Sequence, residues 1–364
     1  MVNENEIKNT YCPDYAIPPG TTLLEVIQSK KITQSELAER MGRPKKTINE
    51  IINGKAEITP ETAIQLEHVI DVPASFWLNL EKNYRLDLAR IAESQKLLEQ
   101  KEWLKLFPLK TMIKYHWIDM VKDEVMNIAR MLEFFGVASI EAWKQKWNRE
   151  IPTVLFRKSK TYEISSPALA VWLRKGEIEA DKIKAAKFDK KRFKNSLPKI
   201  RELTTLAPEE FISEMVKICA SCGVLLVFVH ELPKVPVHGV TRWINSDNVI
   251  IQLSLYKKKN AHFWFSFFHE AGHVLLHGKR DFIYDETSQS WDDEADKFAC
   301  NSLISEQAYE YFVKHNMGYF TRAIIEEFAT SQNIAPGIVV GRLQHDNYID
   351  FSKLNYLKRT FVWN

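Results

Sequence analysis

Cysteine is scarce in this sequence: Cys12, Cys219, Cys222 and Cys300 are the four in 364 residues. That is too few for a disulfide framework in a chain of this size. Cys219 and Cys222 form a CxxC with no second pair, which argues against a structural zinc ribbon and places them at the end of a helix before a strand near 224–229. No apolar run reaches membrane-spanning length, no secretory leader pattern is present, and there is no internal repeat or low-complexity tract. A cytoplasmic protein of two or three domains that contacts no membrane is therefore expected. Charge excludes little, because the formal net charge is +3, and the 45% hydrophobic content is ample for real cores.

What the chain does have is a helix-like apolar run, His262 to Phe268, that ends in His269-Glu270-Ala271-Gly272-His273. Two imidazoles four residues apart lie about 40° apart on one helical face, so both can reach one metal ion. Glu270 stands beside them, placed to accept a proton from an activated water. A core helix has no physical reason to bury His, Glu and His among Phe, Val and Leu unless something compensates them.

Two histidines need a third protein ligand. His277 continues the series but lies a further turn, about 5.4 Å, along the axis. It reads as a last-turn residue before the helix stop at Gly278. The segment Trp291-Asp292-Asp293-Glu294-Ala295-Asp296-Lys297-Phe298-Ala299 offers more. Between residues 281 and 296 there are seven acids and no Lys or Arg. Ala295, Phe298, Ala299 and Leu303 fall at helical spacing, so the segment can pack on the HExxH helix. Glu294 heads that stripe and is the expected third ligand, with Asp296 and Asp292 as supporting carboxylates. Two His and one carboxylate with an open position suit Zn²⁺, one ion per chain, and hydrolysis.

Residues from about 208 to 364 resemble the ImmA/IrrE family of metallopeptidases. The resemblance is carried by His238-Gly239-Val240-Thr241-Arg242-Trp243, by 249–254, by 263–278, by Glu294-Ala295-Asp296-Lys297-Phe298-Ala299 and by 334–346. It implies a zincin-like α+β domain with His269, His273 and Glu294 on zinc and Glu270 as base, and the chain keeps every position of that pattern. It also implies a protein substrate, a helix-turn-helix repressor cleaved to release its operon. The region reads as a helix from Pro208, strands near 224–229 and 248–255, then the HExxH helix and further helices. The strand 249–255 is the expected edge for an extended peptide. Arg242, His238 and Tyr256 are the candidates to stabilise the transition state.

The other end carries a second signal. From Gln34 to Asn53, Leu37, Ala38, Met41, Ile48 and Ile51 fall where two crossing helices need apolar or small residues, and Gly42 suits a turn with φ > 0. Thr33 with Glu36 makes a capping pattern, Pro44 suits the first turn of the second helix, and Thr59-Pro60-Glu61 starts a supporting helix with Ile64, Leu66 and Val69. Residues from about 17 to 88 resemble the HigA-like branch of the Cro/C1 (XRE) DNA-binding family, down to Thr47-Ile48-Asn49-Glu50-Ile51-Ile52-Asn53-Gly54-Lys55 and Phe76-Trp77-Leu78-Asn79-Leu80. The motif implies that Lys45, Lys46 and Asn49 face bases of double-stranded operator DNA, and that Gln34, Thr47, Asn53 and Lys55 contact phosphates. A homodimer is expected on such an operator. The domain is not basic overall, with nine Lys or Arg against nine acids between residues 21 and 85.

The expected organisation is a tail at 1–16, an all-α helix-turn-helix domain at 17–88, a helical connector at 89–205 and the α+β peptidase-like domain at 206–364. Five tryptophans in the connector, Trp103, Trp117, Trp143, Trp147 and Trp172, read as core anchors. From 182 to 201 nine Lys or Arg face the single acid Asp189, which reads as a solvated helix face. Two functions stay open: a DNA-binding regulator that is also a zinc endopeptidase cleaving a repressor or itself, or a HigA-type antitoxin and autorepressor. In the second, the metal domain senses or binds a partner without proteolysis, and a small toxin joins the partners.

Overall fold

The structure, a computed structural model, describes residues 15–155, 165–255, 258–278 and 288–362. The chain is multi-domain and mostly helical, with one small sheet. Met1–Lys101 with Asp123–Ile128 forms one compact unit, and Glu102–Lys122 with Ala129–Asn364 forms a second. Residues 89–205, expected as a separate connector, are divided between the two.

The first unit packs α1 (Pro19–Ser29), α2 (Gln34–Arg40), α3 (Lys45–Ile52), α4 (Pro60–Ile70) and α5 (Ala74–Glu99) around Leu23, Leu37, Ile48, Leu66 and Trp77, all fully buried. The α2 start is capped as its sequence suggests: Thr33 accepts the Glu36 amide at 3.2 Å. The reciprocal half of the box is not made, because the Glu36 carboxylate turns to Arg40. In α4 the core face is Ala63, Leu66 and Ile70, whereas Ile64 is exposed. Gly42 takes φ +62° between α2 and α3, a left-handed turn open to glycine at no steric cost. Gly20 meets a different demand: a Cβ there would lie 2.2 Å from the Ile51 carbonyl oxygen, so α1 and α3 cross backbone to backbone.

In the second unit, α6 (Leu109–Lys114), α7 (Glu124–Phe135, from Ala129 on), α8 (Ile140–Leu155) and α9 (Ser166–Ala180) come first. Trp103, Trp143, Trp147 and Trp172 are buried as anchors, with Trp103 and Trp143 edge-to-face at 5.5 Å. Then come α10 (Lys190–Glu202), α11 (Pro208–Ser221), β1 (Val224–Phe228), β2 (Gly239–Trp243), β3 (Val249–Leu253) and α12 (Asn260–Gly272). The chain closes with α13 (Ser288–Leu303), α14 (Glu306–His315), α15 (Arg322–Ser331) and α16 (Pro336–His345). The basic stretch 182–201 runs through a non-helical segment into α10, whose Phe193, Leu197 and Ile200 are buried while Lys190, Lys191, Arg192 and Lys194 are exposed. Cys219 and Cys222 are buried free thiols at the end of α11.

The sheet order is β1-β3-β2, with β1 parallel and β2 antiparallel to β3. The expected edge strand, 249–255, is thus the central one. Every residue of β3 is buried, as a Val-Ile-Ile run covered on both faces should be. The strand that sequence reading did not anticipate, β2, takes a terminal position among the described strands. Strand alternation sends Thr241 to α12 on one face and Arg242 to α9 on the other. The sheet is sandwiched between those helices.

The α1–α3 crossing yields a stability prediction. Gly20→Ala should cost the first unit about 1–3 kcal/mol through overpacking. Hydrogen exchange should show lost protection in α1 and α3 with β3 unaffected; unchanged protection in α3 would contradict the crossing.

Candidate metal centre and nucleic-acid interface

Helix α12 is held by its apolar bulk: Trp264, Phe267, Phe268 and Ala271 are fully buried. His269 and His273 emerge from that helix with their Nε2 atoms 3.0 Å apart. Asp292 of α13 joins them, its Oδ1 3.2 Å from His273 Nε2 and 3.8 Å from His269 Nε2. One ligand atom from each of the three lies within 4.8 Å of the others.

The outer ring nitrogens are also engaged. His269 Nδ1 lies 2.7 Å from Asp296 Oδ1, and His273 Nδ1 lies 2.9 Å from His277 Nδ1. A histidine that donates from Nδ1 turns a lone pair outward at Nε2, the arrangement in which metal-binding histidines are held. With both rings in that tautomer, the two lone pairs 3.0 Å apart repel unless a proton or a cation lies between them. Burial works against charging His269, but its hydrogen bond to Asp296 and the charges of Glu270 and Asp292 outweigh it, raising its pKa above the ordinary value. The donor set is two imidazoles and a carboxylate in a pocket that favours positive charge, and it fits a zinc ion.

Two expectations change here. Glu294 is not the carboxylate beside the histidines; its side chain is 61% exposed and its Oε2 meets His277 Nε2 at 3.3 Å. The register explains this. Ala295 and Ala299 are fully buried against α12, and Asp292, three and seven residues before them, shares their face, whereas Glu294 lies about 100° from Ala295 and about 140° from Ala299 around the helix. His277 sits behind His273, as the axial rise requires. The helix does not continue unchanged to Gly278, however: residues His273–His277 widen into a π turn, a distortion common at functional sites. That turn stacks His277 on Trp291 at 5.3 Å.

Glu270 is tucked beneath β2 and only 7% exposed. Thr241 Oγ1 lies 2.8 Å from Glu270 Oε2 and 3.1 Å from the Glu270 carbonyl oxygen, so its one proton serves either acceptor. A Cβ at Gly239 would lie 2.9 Å from Glu270 Cγ and Oε1; glycine leaves room for the carboxylate. Arg242, expected near the reacting atoms, points to the opposite face. It donates to Glu177 Oε1 at 2.9 Å and to the Leu173 carbonyl at 3.0 Å. Burial alone would raise the Glu177 pKa, yet Arg242, Arg174 and Lys146 hold it below the ordinary carboxylate range. Arg242 thereby joins β2 to α9. His238 is half-buried and stacks on His262 at 6.0 Å, and Tyr256 lies outside the described residues. Sequence reading missed Thr241 and Gly239. Their alternate spacing is visible in the sequence, but without β2 nothing aims it at α12.

In the first unit, α3 presents Lys45, Lys46 and Asn49 exposed on one side, while Ile48 and Ile51 are buried on the other. Lys46 is 85% exposed and held by Glu50 at only 3.8 Å, a surface pair worth little and readily exchanged for DNA. Asn53 Nδ2 donates to the Asn49 carbonyl at 2.7 Å and to Asn49 Oδ1 at 2.9 Å, which fixes both amides at the helix end. Lys55 is exposed, and Gln34 and Thr47 are half-buried. The local positive charge is narrower than the sequence suggests, since Arg43 is committed to Gln65 at 2.6 Å and Arg40 to Glu36.

This unit is a DNA-binding helix-turn-helix module. The helix-turn-helix family matches residues 23–77. The chain is 32% identical over 81 residues to the uncharacterized HTH-type transcriptional regulator YddM of Escherichia coli (strain K12), covering 22% of this chain and 81% of that protein. It is 40% identical over 53 residues to virulence-associated protein A of Dichelobacter nodosus, 14% of this chain and 52% of the relative. Similar solved structures include an addiction module antidote protein of a HigA family from Coxiella burnetii, 29% identical at TM-score 0.21 over 23% of this chain and 92% of that one. Another is a putative antidote protein of a plasmid maintenance system from Nostoc punctiforme, 30% identical at TM-score 0.22 over 25% of this chain and 94% of that one. Through its first unit the chain belongs to the XRE-type helix-turn-helix family of DNA-binding transcriptional regulators.

The interface generates a binding prediction. Lys46→Ala should change base preference at one operator position by about 1–3 kcal/mol, whereas Lys55→Ala should weaken every sequence and lower the salt slope by about 1. Salt-series titrations on promoter and random DNA measure both; indifference of both DNAs to both changes would refute the α3 reading.

Proposed function

We propose that this DNA-binding regulator is also a zinc-dependent endopeptidase of the ImmA/IrrE kind, cleaving a repressor-type protein or its own chain. The observation that carries the reading is the cluster of His269, His273 and Asp292 beside the buried Glu270. His269 Nε2, His273 Nε2 and the Asp292 carboxylate would hold the ion, with Asp296 and His277 orienting the two rings from behind. When bound, zinc supplies Lewis acidity, which acidifies water and polarises a carbonyl. Glu270 then acts as the base, accepting a proton at Oε1 while Thr241 holds Oε2, and passes it to the leaving amine. The low exposure of Glu270 keeps bulk water from competing. On DNA the regulator would act as a homodimer, on half-sites about one helical turn apart.

The antitoxin reading draws on the HigA-like sequence of 17–88. It gives the chain a small toxin as partner and makes the metal unit a sensor. Glu270 separates the two readings, because a binding module has no use for the base.

Glu270→Gln should leave zinc content and operator binding unchanged and lower cleavage at least about 100-fold. An immunoblot of the repressor partner and of the chain's own first unit, beside a reporter of derepression, supplies the measurement. Wild-type derepression in that variant with no cleavage product in either strain would reject the peptidase in favour of the sensor. The ligand set has its own check by elemental analysis: Asp292→Asn should lose most of the zinc and Glu294→Gln should keep it, and the opposite pattern would restore Glu294 as the ligand.

A further inference from the structure

Away from Glu270 and β2, helices α12, α13 and α16 and the residues after α16 line a partly open cavity of about 170 Å³. Phe265, Leu303, Ile304, Ile338 and Phe351 give it an apolar lining. Burial pushes the Cys300 thiol pKa up, so Cys300 also lines the cavity as a neutral group. The size has a useful comparison, because an engineered apolar cavity of about 150 Å³ stays dry and takes up benzene. A single ring or a short branched chain would fit.

The polar part of the lining is basic, His262, Arg342, His345 and Lys358, with no Asp or Glu among the described lining residues. Arg342 and His345 are both satisfied by Asp346, at 2.6 and 2.9 Å. Lys358 differs. Among the described residues no carboxylate pairs with it, and its ammonium donates to Gln344 Oε1. Gln344 is itself 1% exposed, and its Nε2 donates to the Phe351 and Lys353 carbonyls at 3.2 and 2.8 Å. The amide cannot turn without losing those bonds, so it fixes the ammonium at the cavity. Burial and the nearby Lys259 both disfavour the charge on Lys358 and lower its pKa, a cost that a bound anion would offset.

We propose that this cavity binds a small organic acid, with one ring or a short branched chain against Phe265, Leu303 and Ile338 and its carboxylate on Lys358. The position gives such a ligand a route to the metal centre. Phe265 lies one turn before His269, their rings 6.3 Å apart, and Cys300 lies one turn after Asp296. A molecule wedged between them fixes the spacing of the two helices that carry the histidines and Asp292. The ligand is thus a means of regulation by a metabolite-sized acid, and its binding does not depend on whether the second unit cleaves peptides.

The test titrates benzoate and the neutral benzyl alcohol into the full chain by ligand-observed NMR, with thermal melting as the check on folding. Benzoate should bind saturably, one per chain, about ten-fold or more tighter than benzyl alcohol, the margin of a charge-assisted hydrogen bond. Lys358→Met keeps the alkyl stem and should erase that margin while leaving benzyl alcohol within about two-fold. Cys300→Phe, which fills the cavity from α13, should abolish both; if it fails to fold, Lys358→Met decides alone. His273→Ala should leave benzoate binding intact, which separates the cavity from carboxylate capture at the metal centre. Absence of saturable binding, equal affinity for the two probes, a benzoate margin that survives Lys358→Met, or loss of binding in His273→Ala would each overturn the proposal.

Discussion

Two imidazole nitrogens 3.0 Å apart on a buried helix impose a condition that the surrounding structure answers. Each ring is held from behind, His269 by Asp296 and His273 by His277, which fixes the orientation of both. The π turn at His273–His277 brings the second of those partners into reach. Asp292 then supplies negative charge on the open side. A cation shared by both Nε2 atoms and Asp292, as the proposed metal would be, satisfies all of these groups at once.

The sheet solves a different problem, how to present a buried carboxylate without trapping it unpaired. Alternation along β2 gives Thr241 and Gly239 to Glu270, one as hydrogen-bond partner and one as space, and gives Arg242 to Glu177 on the far side. The same five-residue strand therefore positions the proposed base and ties the sheet to α9. A buried arginine with two carboxylate or carbonyl acceptors is a costly group to disturb, and it anchors the strand against which Glu270 is set.

The parts of this architecture legible in the sequence are those that depend on local pattern. The α2-turn-α3 motif follows from the spacing of Leu37, Met41, Ile48 and Ile51 and from Gly42; the α12 histidines follow from i, i+4 geometry; β1 and β3 follow from continuous apolar runs. What was not legible depends on pairing and rotation. A Gly-Val-Thr-Arg-Trp segment has no strong strand signal until β3 lies beside it, so β2 is not legible and nothing in the sequence shows that 249–255, the candidate edge, is central. In α13 a stripe that included Phe298 pointed to Glu294, whereas burial centred on Ala295 and Ala299 selects Asp292. Asp292 and Glu294 lie about 160° apart around the helix, so helical phase decides which of them faces the histidines, and periodicity alone does not resolve it when four acids lie within five residues.

The central claim is that His269, His273 and Asp292 form one metal centre. Anomalous diffraction from crystals of the zinc-loaded chain, collected above and below the zinc edge, tests it directly. The account predicts a single strong anomalous peak per chain bonded to the Nε2 atoms of His269 and His273 and to the Asp292 carboxylate, at about 2.0–2.2 Å. A peak bonded to His277 or Glu294 in place of Asp292, or no peak at these histidines at all, would contradict it.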